Sequence, residues 1–170
     1  MIRTAILLFV FALTASPALA DYADHMLDYP QSVKTAQVQL PRTRGPLDIR
    51  TAPQMVADAA RFIGTRNPYH FRGPGCKVFV NMIARRNGYY ANSSARAVDI
   101  ARMGQRVRYP QPGDYRYSGR RGGGHAEIVA KVEGSTVVTI NGNKGRNRVG
   151  LSYRSIGSGA YYRPIRVASM

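Results

Sequence analysis

The chain has 170 residues and a formal net charge of +16 at pH 7, enough for one compact domain with sequence to spare. A single cysteine excludes an intrachain disulfide framework, and His25 and His70, with no clustered Cys or carboxylates, exclude an evident metal-ligand pattern. Arg far outnumbers Lys, and its planar fork grips carboxylates and phosphates through paired hydrogen bonds, so the expected partner is a polyanion.

The first 20 residues read as an export signal. Arg3 gives a positive start, Ala5 to Leu13 form a short apolar run, and Ala18 and Ala20 supply the small-x-small pattern for a cut after Ala20. The run is shorter than the roughly 20 residues a membrane helix needs, and no second long apolar run follows. The protein is therefore expected outside the cytoplasm, secreted or periplasmic, with no transmembrane segment once the signal is removed. There the available polyanions are peptidoglycan carboxylates, other anionic wall polymers and released nucleic acid. Residues 21–50, punctuated by Pro30, Pro41 and Pro46, read as a flexible arm.

Order is expected from residue 51 to 170. Thr51 to Gln54 resembles a capping box, and Met55, Val56, Ala59, Phe62 and Ile63 share one face of a helix that Gly64 ends. Cys76, Phe79, Val80, Ile83 and Ala84 mark a second helix, closed by Asn87-Gly88. A third is expected from Ser93 or Ser94 to Gly104, burying Ala97, Val98 and Ala101. Past Pro112-Gly113 the period changes to that of strands: Asp114 to Ser118, a hairpin of His125 to Val132 and Thr136 to Asn143, then Val149 to Tyr153 and Ala160 to Arg166. Helices followed by an antiparallel sheet define an α+β class.

A cysteine in the first turn of a helix is a candidate nucleophile, because free N–H groups and the helix dipole favour the thiolate. The same spacing fits a buried structural cysteine. A three-residue turn at Glu133 to Ser135 pairs Ile128 with Ile140 and Val132 with Thr136. It gathers Ala126, Ile128, Ala130, Val132, Val138 and Ile140 on one apolar face. The other face carries His125 opposite Asn143 and Glu127 opposite Asn141, where an amide could orient an imidazole base. A polar edge facing solvent is the bland alternative.

These segments resemble a family. Gly75-Cys76-Lys77-Val78-Phe79-Val80, Pro112-Gly113-Asp114, Gly124-His125-Ala126-Glu127-Ile128-Val129 and Asn141-Gly142-Asn143 are similar, in that order, to the motifs of NlpC/P60 and CHAP cysteine peptidases and amidases. Pro68-Tyr69 is similar to a Pro-Tyr pair near the site in NlpC/P60 sequences. The resemblance implies a papain-like fold with N-terminal helices packed on an antiparallel sheet. It implies amide hydrolysis, in peptidoglycan, by Cys76 with His125 as base and Asn143 as third residue (Asn141 being its rival), and no cofactor. Tyr69, Arg120, Arg121 and Glu127 are the expected substrate contacts. Gly75 stands where many relatives have Trp or Asp, and Ala126-Glu127 replaces their Val-Gly. A catalytically silent, cationic wall- or polyanion-binding module on the same scaffold is the alternative. Nucleic acid is a weaker partner, since aromatic residues outside the tyrosines are sparse.

Overall fold

The structure, a computed structural model, describes residues 53–68, 75–120 and 123–167. The export signal, the arm, Thr51, Tyr69 and Arg121 lie outside these. Among the described residues two α-helices, α1 (Gln54–Ala60) and α2 (Cys76–Arg86), precede a 3-10 helix (Ala97–Arg102) and six strands: β1 (Gly104–Val107), β2 (Tyr115–Arg120), β3 (Gly123–Glu133), β4 (Thr136–Asn141), β5 (Gly150–Ser155) and β6 (Ala160–Pro164). The strands form one antiparallel sheet in the order β1-β6-β2-β3-β4-β5. The class is α+β.

Helix α2 is the hub. Every residue from Cys76 to Ala84 is buried, as expected of a helix covered on all sides. It packs against β3 and β4, α1 and the 3-10 helix. Phe79, Val80, Ile83, Ala126, Ile128 and Ile140 are each fully buried, so the helix and the apolar sheet face exclude water together. Gly142 brings them close: a Cβ there would collide with Phe79.

Several expectations change. Helix α1 stops at Ala60, giving way to turns through Gly64, with Pro53 at its N-cap and no side-chain cap. The third helix is a 3-10 helix, which eclipses residues three apart. Ala97, Ile100 and Met103 are buried, while Val98 is exposed and so is Ala101. Gly104 opens a strand, β1, which pairs with β6.

The β3–β4 hairpin turns on two residues, with Glu133 opposite Thr136 and Val132 opposite Val137. A bulge at Ala130 then returns the register to Val129 opposite Thr139 and Ile128 opposite Ile140. The turn is one residue shorter than expected and the bulge adds one, so the expected pairing of Ile128 with Ile140 holds, that of Val132 with Thr136 does not, and the ladder stops short of His125 and Asn143. Val132 consequently moves from the helix-facing side to the other side, where it packs on Val129, Val137 and Tyr161. That second side is thus an apolar core at its centre, with a polar cluster beside it. Among the described residues no helix is long and apolar enough to cross a membrane.

Candidate active site

The polar cluster sits where β2, β3, β4 and β5 run side by side. Strand alternation puts His125, Glu127 and Val129 on one face. The ladders add Arg116, opposite Glu127, from β2, and Thr139 and Asn141 from β4, with Ser152 opposite Thr139 on β5. Glu127 is fully buried. Its Oε2 accepts from Arg116 Nη1 at 2.5 Å, and its Oε1 accepts from Arg154 Nη2 at 3.2 Å. Both oxygens are engaged, so Glu127, expected to meet substrate, instead anchors two arginines. Arg116 also donates through Nη2 to the backbone and hydroxyl oxygens of Ser158.

The His125 Nε2 lies 3.5 Å from Glu127 Oε1, and the ring hydrogen-bonds Asn141. Burial pushes the imidazole below its ordinary pKa. The Glu127 charge opposes that, Arg154 reinforces it, the Asn141 bond opposes it and Arg116 reinforces it. The ion-pair distance alone would suggest an imidazolium. The neutral ring wins because burial is the largest of these effects, and the Arg154 and Arg116 charges offset part of the Glu127 field.

Asn141 is fully buried, and its Nδ2 donates to Ser152 Oγ at 3.1 Å and Gly150 O at 3.4 Å. This leaves Oδ1 as its acceptor, which also receives the Asn143 backbone N–H at 3.3 Å. Of the two rival amides, the structure brings the Asn141 side chain to His125, while Asn143 touches Asn141 through its backbone.

Cys76 opens α2 and is 2% exposed. The link from its helix to the polar cluster is Asn67, a residue that sequence reasoning did not single out. Asn67 Nδ2 donates to Gly75 O at 2.9 Å and to Gly142 O at 3.0 Å. One amide thereby ties the residue before Cys76 to the residue after Asn141. Asn67 is itself held by a strip in which Gly64, Asn67 and Val149 exchange backbone bonds with Val149, Asn147 and Thr65. Asn147 has a positive φ of 55°. Its buried Oδ1, without a hydrogen-bond partner among the described residues, faces Gly75. No local pattern marks Asn67, because its partners lie 8 and 75 positions away.

Arg120 ends β2, opposite Gly123. Asp114 accepts from the Gln111 N–H and pairs with Arg163, a turn-closing role. Among the described residues no group of three or more His, Cys, Asp or Glu could hold a metal ion.

No family model matches the chain, and no curated protein matches it. Two solved structures resemble it distantly. One is the crystal structure of Ly7917 with the hydrolyzing product of MDP (TM-score 0.45, 15% identity), and the other is that of Ly7917 (TM-score 0.42, 16% identity). Each covers 65% of this chain, which spans 61% of the solved chain. Likenesses at this level carry no argument, so the chemistry must come from the residues themselves.

Proposed function

We propose that the chain is an exported cysteine hydrolase of amide bonds, acting on peptidoglycan, with a papain-like arrangement of helix and sheet. The observation that carries this reading is the Asn67 bridge. It fastens the N-terminus of the cysteine helix to the strand whose Asn141 orients a neutral imidazole. With Nε2 turned toward Glu127 Oε1, we assign the ring proton to Nε2, which leaves Nδ1 as the basic nitrogen for the thiol.

The steps follow from these assignments. Alternation places His125 on the sheet face turned away from α2, so the reaction requires the imidazole to swing around the start of β3 to the helix N-terminus. There Nδ1 takes the Cys76 proton, and the thiolate forms an S–C bond to the carbonyl carbon. Amides of the α2 N-terminus, which lack intrahelical partners, hold the oxyanion. The C–N bond breaks as the imidazolium returns its proton to the amine. Water then gives a proton to Nδ1 and its hydroxide to the acyl carbon, the S–C bond breaks, and the thiol is restored. No cofactor enters. Asn141 is the third residue in this scheme, with Asn143 supporting it. Tyr69, Arg120 and Arg121 remain the proposed contacts to substrate.

Mass spectrometry of muropeptides after incubation with the chain and with Cys76→Ala tests this. New fragments made only by the unmodified chain are expected, and identical profiles would overturn the hydrolase. Burial of Cys76 favours a second reading, a silent cationic wall-binding module. Native-state alkylation separates the two: a nucleophile reacts with iodoacetamide in the folded protein, whereas a structural thiol reacts only on unfolding.

A further inference from the structure

The polar cluster holds more positive charge than it needs. Glu127 faces both Arg116 and Arg154. The neutral His125 adds none, so one guanidinium charge is left unbalanced. Arg116 is 2% exposed, turns its Nη2 to Ser158, and keeps a buried Nε with no hydrogen-bond partner among the described residues. The surplus is therefore presented by Arg154, whose side chain is 39% exposed, next to an imidazole that is 25% exposed. Arg154 Nη2 and His125 Nε2 approach the same oxygen, Glu127 Oε1. The Nε and Nη2 atoms of Arg154 are turned to that oxygen, which leaves Nη1 with no hydrogen bond among the described residues. A second exposed cation lies close by. Lys144 Nζ donates to Ser152 Oγ at 3.2 Å, the hydroxyl that also receives Asn141 Nδ2.

A guanidinium fixed by a buried carboxylate, half open to water and beside the base, suits a planar anion. We infer that Arg154 is a specificity residue that takes a free carboxylate of the substrate beside the scissile amide, with Lys144 as its neighbouring cation. The substrate class is thus narrowed to peptides with an unblocked carboxyl group near the bond that is cut. This rests on the amide-hydrolase reading above.

Steady-state kinetics on two matched muramyl peptides test it, one with a free carboxylate next to the cleaved amide and one with that group as carboxamide. The carboxylate form should have a KM about tenfold lower, the scale of one hydrogen bond to a charged group. Arg154→Gln should raise that KM about tenfold and abolish the preference. Arg154→Lys, which keeps the charge but loses the fork, should keep part of it and lose that part in salt. If the Gln variant does not fold, the Lys variant gives the reading alone. A preference that is missing in the unmodified chain, or intact in either variant, would overturn the inference and leave the hydrolase standing. Calorimetric titration of Cys76→Ala with the same peptides reads binding without turnover. Tighter binding of the carboxylate, lost on adding Arg154→Gln, supports the inference even if no cleavage is found. Equal Kd values overturn it.

Discussion

Two buried polar knots, one on α2 and one on the sheet face turned away from it, are built in opposite ways. On one, Lys77 is fully buried and its Nζ donates to Asn81 Oδ1 and, at 3.1 Å, to Asn92 Oδ1. Neutral amides surround a cation, and burial lowers its pKa to about 8 despite the opposing field of Asp99. On the other, a fully buried anion, Glu127, is compensated twice over by arginines, and part of the knot reaches water through His125 and Arg154. The first ties α2 to the segment before the 3-10 helix, with Asn81 Nδ2 reaching Ser94 O. The second has the open edge and excess charge that a ligand could use. Burial of charge alone does not mark a working site; the part left accessible does.

The sharpest way to break this contrast is to remove Glu127. Glu127→Ala leaves Arg116 charged and uncompensated in the interior, and urea denaturation should show a loss of about 3–5 kcal/mol. Asn67→Ala comes next. Two carbonyls lose their shared donor, at about 2 kcal/mol. Hydrolysis should fall about a hundredfold, because the thiol and imidazole are no longer held in one geometry. A loss of activity no larger than that in a control variant of equal stability would show that the bridge only supports the fold.

Lys77→Met probes the closed knot through pH. The folded pKa near 8 lies below the unfolded 10.5. Between those values the unfolded chain holds a proton that the native state has released. The unmodified chain should therefore gain stability over Lys77→Met as pH rises from 8 to 10.5, which denaturation at pH 7.5 and 10 would detect. The open knot responds in acid. His125 sits below the ordinary imidazole value of about 6.5. Stability should fall as pH drops through that value, while the acid limb of kcat/KM lies below it. Arg154→Gln should move that limb upward, since one charge disfavouring the imidazolium is gone. The smallest effect is expected for Asn143→Ala, within about 0.5 kcal/mol and with near-normal kcat, because only its backbone is engaged with Asn141. Asn141→Ala should lose most activity.

Much of this was legible before any coordinates. The helical period named α2 and its first residue, and strand alternation separated Ala126 and Ile128 from His125 and Glu127. What escaped depends on distant partners. Val98 has the hydropathy of a core residue, yet the tighter 3-10 winding turns it outward. Glu127 reads as an available carboxylate until Arg116 and Arg154 arrive from other strands. Asn67 has no periodicity to betray it. The pairing of Ile128 with Ile140 came out as expected through two compensating departures, a short turn and an extra residue, neither of which leaves a mark in the alternation of Val and Ile.

That compensation makes Ala130 a spare residue of the ladder. Excising it would close the bulge, leave Lys131 opposite Val138 and Val129 opposite Thr139, and keep every face of β3 as it is. Excising Ala126, where the pairing is regular, would instead turn His125 to the opposite face. Loss of one residue from this hairpin should thus be tolerated at the bulge and ruinous upstream of it, however alike the two alanines look.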